Sequence, residues 1–556
     1  MCAEPIEVNQ KRRTTPPPRN GAGDDDSQEA FIHRLPNELL VSIFQLYSEV
    51  SDRRDLGHSC YPIEEPEDEE SVYRRVTDAS SWRLLMLVCR SWRCVGVSTP
   101  CLWQSIDVWD CTEWLDLALT RSRQALLDLY FHKAGAATAA VPTILANSKR
   151  IRRLVFPQLD SDSGGRENPD MSPYLPLFAT YMPALQYLLL SAHSVPETLR
   201  AQWNLSVFQF PALRALRLAC TSIRWSPEII SKLTCLDIRN CSYDGLTLSC
   251  DEFLDVLQCC RSLRELRLLD GFVSSALRHH ARSVPADDFS RVPNMPELHT
   301  LAVQDKPKII AWLLSCFRFT PDSFISVIGS IPGPELPQNA FGSLLPTRGR
   351  NAWLPLCSSP TRGVINMWGG DANILVKSSN GSRLYLQLYL ARGEKDSYLP
   401  DGIRELSTIF SCSSLVDLHI EADFDYVLEK TRWYTFLSNF RRLEKLRLVG
   451  SGNTTALISA LKHVRPSKRG PKPPICPRLC SLCMEFTRYA PGDIELLVAT
   501  LHRRAAYGLK SMKYLWMYLN DEKVKTLNDE VDACRMELDE LVLKWEYASI
   551  VEDGWV

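Results

Sequence analysis

Pro211-Ala212-Leu213-Arg214-Ala215-Leu216-Arg217-Leu218 carries the pattern that decides the fold: a leucine, two residues, a leucine, one residue, an aliphatic residue. In an extended strand successive side chains point to opposite faces. Leu216 and Leu218 therefore share one face and Arg217 takes the other. The pattern recurs at Leu185-Leu188-Leu190, Leu233-Leu236-Ile238, Leu263-Leu266-Leu268, Leu298-Leu301-Val303, Leu415-Leu418-Ile420, Leu443-Leu446-Leu448 and Leu479-Leu482-Met484. Ile151-Leu154-Phe156 and Met512-Leu515-Met517 are weaker copies. Pro183, Pro211, Pro296 and Pro477 each stand two residues before a first leucine, a shared lead-in that chance periodicity does not supply.

The recurrence resembles a leucine-rich repeat array. That resemblance implies short strands joined by return segments, in which no copy buries its apolar face alone. Residues 252–257, 433–440 and 493–503 read as helical returns. The spacing is irregular: 28 residues (185 to 213), then 20, 30 and 35, then 117 from Leu298 to Leu415, then 28 and 36. The array is degenerate, and the family's Asn or Cys after the strand stands cleanly only at Cys241. Within the uncertain region 305–410, Pro332, Pro334 and Pro337 suggest a loop. Asn380-Gly381 between the apolar runs 374–376 and 384–388 signals a hairpin. Either eroded repeats continue there or an insertion interrupts them.

Upstream, Leu35-Pro36-Asn37-Glu38-Leu39-Leu40-Val41-Ser42-Ile43-Phe44 reads as the start of an amphipathic helix. Pro36 suits a first helical turn, where its missing N–H has no partner to lose. Leu39, Ile43 and Leu46 form one stripe; Leu40, Phe44 and Tyr47 form a second beside it. Trp82, Leu85, Val88, Cys89, Trp92 and Val95 recur at helical steps, ended by Gly96 and Pro100, and Leu102-Trp103 follow. The two halves in order resemble the F-box, a helical module that in its family docks on the Skp adaptor of SCF-type ubiquitin ligases. The resemblance implies adaptor-facing or module-core roles for Leu35, Pro36, Leu39, Ile43, Phe44, Val88, Cys89 and Trp92. It also implies a cullin reached through the adaptor. The sequence departs from the family in a long insert, 51–80, that holds the acidic run 64–70.

The expected organisation is a disordered tail (1–29), an F-box-like module (30–110), a repeat-like array (111–521) and a capping helix (522–556). In that last segment Val524, Leu527, Val531, Cys534, Leu538, Leu541 and Trp545 step by three and four like a heptad seam. The fold class expected is α/β: a small helical module followed by an irregular leucine-rich-repeat-like solenoid.

A formal charge of -2 argues against a general polyanion binder such as a nucleic-acid protein. No run approaches the ~18 apolar residues of a membrane span, and no signal-peptide core opens the chain. Nineteen cysteines without a secretion signal read as reduced thiols in the cytosol or nucleus. Lys11-Arg12-Arg13, and Lys468, Arg469 and Lys472 in the loop 466–477, read as solvated clusters or short nuclear signals.

Cys476, Cys480 and Cys483 have close spacing, but two lie in a repeat strand and no further pair completes four zinc ligands. Cys259-Cys260 reads as core filler and His279-His280 as surface. No phosphate loop, nucleophile elbow or metalloprotease helix is present. The expectation is a non-catalytic protein without metal or cofactor: a substrate receptor of a ubiquitin ligase or, alternatively, an F-box scaffold acting outside one. Between the last two apolar positions of five copies stand Arg217, Asp237, Arg267, His419 and Arg447. These residues, with Arg239 and Lys445, belong to the opposite, concave face. Arg217, Arg239 and Arg267 are the candidate contacts for an acidic or phosphorylated protein substrate. The rival reading is a mixed, solvated face, since Glu265, Asp417 and Glu421 lie there too.

Overall fold

In the computed structural model, residues 35–55, 81–108, 112–131, 138–156, 172–191, 207–219, 222–223, 227–243, 249–277, 295–331, 339–346, 359–367, 372–390, 405–406, 409–410, 414–422, 430–450, 455–463, 475–488, 490–509, 511–520 and 524–550 are described. The tail 1–29, residues 56–80 of the acidic insert, His279-His280, Pro332, Pro334, Pro337 and loop residues 464–474 lie outside them.

The repeats form one open mixed sheet of seventeen strands. In chain order they are β1 (Ser105–Val108), β2 (Leu127–Phe131), β3 (Ile151–Phe156), β4 (Tyr187–Ser191), β5 (Ala215–Ala219), β6 (Cys235–Arg239), β7 (Glu265–Leu268), β8 (Thr300–Asp305) and β9 (Phe324–Ile331). There follow β10 (Pro360–Met367), β11 (Ala372–Ser378), β12 (Arg383–Leu390), β13 (Asp417–Ala422), β14 (Lys445–Val449), β15 (Ser481–Arg488), β16 (Met512–Asn520) and β17 (Val542–Ile550). From β1 to β9 each strand pairs in parallel with the next, and β13 to β17 do the same.

One register runs across all of it. Leu154, Leu188, Leu216, Leu236, Leu266 and Leu301 stand opposite one another in turn, as do Leu418, Leu446, Leu482 and Leu515. Each of these leucines is buried, and full burial of such a side chain is worth about 1.5–3 kcal/mol. The return segments cover them. Helices Lys430–Leu437, Thr455–Lys462, Asp493–Ala506 and Val524–Leu541 pack in sequence, each on the next.

In seven of the motifs the first leucine closes a four-residue turn ahead of its strand. Leu185, Leu213, Leu298 and Leu479 donate their N–H to the carbonyls of Met182, Phe210, Met295 and Cys476 at 3.0–3.2 Å. The recurring proline is the second residue of that turn, where its fixed φ is already correct and its missing N–H is not needed. Leu233, Leu263 and Leu443 close the same turn with Ser231, Arg261 or Arg441 at that place.

The uncertain region belongs to the same sheet and includes the expected hairpin. The sheet continues through it, but with the order β9-β12-β11-β10-β13. Only β11 runs against the rest. It turns into β12 at Asn380-Gly381, where Gly381 takes φ +95° and Gly381 N–H donates to the Ser378 carbonyl at 3.3 Å. In β10 the leucine position is Gly363, aligned with Leu418.

Three expectations need correction. The second helical half is two elements: a 3-10 turn, Ser81–Leu87, and a helix, Arg90–Ser98. Cys89 caps that helix, its sulfur accepting from Trp92 N–H at 3.5 Å, so Val88 falls off the buried face. Gly96 does not end the helix. A Cβ there would meet Met86 at 2.8 Å and Phe44 at 3.2 Å, so the glycine permits close approach to the first helix. The segment 522–556 is not one capping helix, because the helix ends at Leu541 and Val542–Ile550 adds β17 to the sheet.

Two glycines give opposite expected outcomes. A Cβ on Gly363 would make ordinary contacts with Leu418 and Leu415 at 3.4–3.6 Å. Gly363→Ala should therefore stabilise by about 0.4–1 kcal/mol. A Cβ on Gly329 would run into buried Leu344, so Gly329→Ala should cost about 1–3 kcal/mol. The two denaturant midpoints, compared with that of the unchanged chain, check this.

Candidate functional site

The first helix, Asn37–Asp55, begins on Pro36, whose carbonyl accepts from Leu39 and Leu40 N–H at 3.1 Å. Its two apolar stripes part company. Leu40 and Phe44 are buried, and Phe44 packs on Trp82 and Trp92 at ring distances of 6.3 and 5.5 Å. Leu39 (51% exposed), Ile43 (37%) and Leu46 (58%) face outward, and Tyr47 of the inner stripe joins them at 42%. Across from this helix, Leu84, Leu87 (71%) and Val88 (53%) are exposed as well.

Of the eight residues expected in this module, Phe44 and Trp92 are core, while Leu35 and Cys89 are half-buried against it. Pro36, Leu39, Ile43 and Val88 are exposed. The exposure of Leu84 and Leu87 was not legible, because their 3-10 turn resembles a continuing α-helix in sequence. The module is fused to the sheet through aromatic contacts. Trp82 meets Trp103 at 5.2 Å, Trp103 meets Trp114 at 5.4 Å, and Trp103 Nε1 donates to the Gly96 carbonyl at 2.9 Å. Trp114 belongs to the helix Thr112–Ser122 that follows β1.

The second region is the sheet face opposite the leucines. Arg217, Asp237 and Arg267 stand opposite one another on β5, β6 and β7, so the expected arginines do converge. They converge on an acid. Asp237, almost fully buried, takes both its oxygens to Arg239 at 2.9 Å and lies 4.0 Å from Arg267. Arg267 also pairs with Glu265 at 2.7 Å, and Arg217 lies over the Tyr187 ring at 5.7 Å. Nearer the N-terminal edge, Arg152 forks onto Asp128 at 2.9 and 2.7 Å. In this half of the face each of the carboxylates Asp128, Asp237 and Glu265 already holds an arginine.

The same face opens over β10 and β13–β16. There a pocket of about 380 Å³ is lined by Arg362, His419, Lys445, Arg447, Glu485 and Trp516, among others. Arg447 pairs with Glu485 at 2.7 Å and Arg362 lies 3.6 Å from Asp417. The ion pair holds the Glu485 carboxyl below its usual range against the opposing effect of burial. Burial, and then Arg447 and Arg362, push the His419 imidazole below its usual value, so it is neutral near pH 7. Lys445, Arg447 and His419 lie at repeat positions read from the sequence. Arg362 was missed because Gly363 breaks the leucine pattern, and Trp516 because its copy is built on methionines.

Cys476 and Cys483 are buried and their thiols are pushed up to about 12, by burial above all. Among the described residues no group of three His, Cys, Asp or Glu could hold a metal ion, and no helix is long and apolar enough to cross a membrane. No protein-family model matches the chain, and no curated protein matches it at a significant level.

Two substitution results follow from this placement. Phe44→Ala should cost about 3–5 kcal/mol, whereas Leu39→Ala should change stability by less than about 0.5 kcal/mol; chemical unfolding of the whole chain separates them. Asp237→Ala should cost about 3 kcal/mol, because it leaves buried guanidinium charge with less compensation. Asp237→Ala combined with Arg239→Ala should recover part of that loss, read by the same unfolding midpoints.

Proposed function

We propose that the chain is the substrate-recognition subunit of an SCF-type ubiquitin ligase. In this reading the N-terminal helices dock on a Skp-family adaptor, which links them to a cullin, and the sheet carries the protein substrate. The chain itself performs no chemistry. The observation that carries the reading is the split of one amphipathic helix into a buried aromatic stripe and an exposed aliphatic one. Leu84, Leu87 and Val88, in and just after the 3-10 turn that packs on this helix, are exposed as well. Several large apolar side chains left exposed on packed neighbouring elements point to a protein interaction site, and interface energy concentrates in a few such anchors.

The order of the F-box-like residues supports the choice of adaptor. The sequential parallel strands, each with its leucine in one ladder and with helical returns packed in sequence, support the leucine-rich-repeat-like solenoid reading of 111–521. Leu39, Ile43 and Val88 are then adaptor contacts, while Phe44 and Trp92 hold the module's shape and act only through it.

The test is co-purification from cells of the adaptor and a cullin with the tagged full chain. Leu39→Asp with Val88→Asp should lower adaptor recovery at least tenfold while the unfolding midpoint stays unchanged. Undiminished recovery by the folded double variant overturns the docking surface. Recovery of adaptor without cullin favours a scaffold that uses the module outside a ligase.

A further inference from the structure

The pocket over β10 and β13–β16 is built from residues at two levels of adjacent strands. At one level Arg362 stands opposite Asp417, and Asp417 opposite Lys445. At the next, His419 stands opposite Arg447, Arg447 opposite Cys483, and Cys483 opposite Trp516. Neighbouring strands are about 4.8 Å apart, so Arg362 and Lys445, two strands apart, sit roughly 10 Å apart at their backbones and their long side chains can meet over Asp417.

The count of charges equals that of the β5–β7 half of the face, where Arg217, Arg239 and Arg267 stand against Asp237 and Glu265, but none of those arginines is exposed, whereas Arg362, Lys445 and Arg447 all are. Three cations line the pocket against two carboxylates, Asp417 and Glu485. Arg447 is spent on Glu485 and Arg362 shares Asp417, while Lys445 is exposed and stands outside both pairs. The first level continues beyond Arg362 to Lys377 and Arg383 on the antiparallel insertion, so the cationic edge runs on along the sheet. His419 presents a buried Nε2 that has no hydrogen-bond partner among the described residues. Trp516 and Tyr518 form the other wall, and the Tyr514 ring stacks on Trp516 at 5.3 Å, nearly parallel.

We propose that this pocket binds an extended polypeptide segment through one anionic side chain, phosphoryl or carboxylate, with an apolar or aromatic neighbour. The anion lies between Lys445 and Arg362, where charge-assisted hydrogen bonds are strongest. The neighbouring side chain packs on Trp516. The neutral imidazole of His419 is left for a backbone N–H or carbonyl. A surplus of one positive charge beside two fixed carboxylates suits a single anionic group and opposes a polyanion. The aromatic wall gives the site a use for an organic neighbour that a free inorganic anion lacks. The proposal rests on the substrate-receptor reading and narrows it: the substrate is captured here, and the arginines on Asp237 are framework.

The test uses the full chain and three oriented peptide libraries, degenerate around a fixed phosphoserine, a fixed glutamate or a fixed serine. The phosphoserine or glutamate library should be retained at least tenfold better than the serine library, with aromatic or leucine residues selected beside the anion; the two anionic arms tell phosphoryl from carboxylate. Lys445→Glu and Trp516→Ala should each lower that retention about tenfold, and Lys445→Arg should restore it. Adaptor capture should be unchanged in all three variants. Equal retention of the three libraries overturns the proposal, as does wild-type retention by Lys445→Glu, or displacement of the peptides by a single-stranded oligonucleotide but not by glutamate peptide. Loss of adaptor capture by the unchanged chain, with peptide selection intact, refutes the ligase reading and leaves the pocket standing.

Discussion

The sheet depends on an aliphatic side chain, on nearly every strand, standing at the same level as its neighbours; Gly363 in β10 and Trp545 in β17 are exceptions. Strand geometry sends alternate residues to opposite faces, so a shift of one residue anywhere would carry the leucines to the polar side and Arg217 or Arg447 into the core. The four-residue turn ahead of seven of the strands opposes that shift. It buries the motif's first leucine and sets where the strand begins. The repeat spacing varies widely because length is absorbed in the returns, where extra residues cost little closure entropy. Register is fixed locally, and the sheet extends one strand at a time.

That locality explains what was legible. Eight clear copies of the pattern are strands in the structure, and the proline lead-in that looked like a signature is the second residue of the turn. Asn380-Gly381 was readable as a hairpin because a positive φ is needed there and glycine supplies it. The illegible parts are those where one substitution hides the motif. Gly363 occupies a leucine position, so β10 had no signature. Trp545 continued a three-four spacing from the helix before it, yet it lies in β17 opposite Leu515; seven apolar positions cannot show that the backbone changes at Leu541. Val88 matched a helical step, but the cap at Cys89 breaks the helix one residue later. The pocket was invisible for a different reason. Its lining spans 362 to 518 in sequence, and only the strand order brings those residues together.

The exposed apolar surface and the sheet are mechanically one body. The rings of Phe44, Trp82, Trp103 and Trp114 follow one another from the first helix to the helix after β1, with Arg83 lying 4.3 Å over Trp114. Aromatic pairs in such tilted and edge-on geometries contribute about 0.5–1.5 kcal/mol each beyond burial. A partner held on Leu39 and Val88 would therefore be placed at a fixed position relative to β1. A flexible linker would let that position wander with the square root of its length. A substrate receptor gains from such rigidity, since what it binds must be presented consistently to an enzyme bound elsewhere.

The polar face shows why abundant charge is a poor guide to a binding surface. A buried ion pair loses hydration that its own attraction barely restores, so breaking one to admit a ligand is costly. Arg239 and Arg267 cannot leave buried Asp237 for a substrate anion without stranding it. Their convergence across neighbouring strands reflects that commitment. Lys445, by comparison, is exposed, lines a pocket with an aromatic wall, and stands outside the ion pairs Arg447–Glu485 and Arg362–Asp417. On one continuous sheet, the half where Arg239 and Arg267 hold a buried acid resists rearrangement, and the half where the exposed Lys445 lines a pocket with Trp516 has less to break before it can meet a ligand.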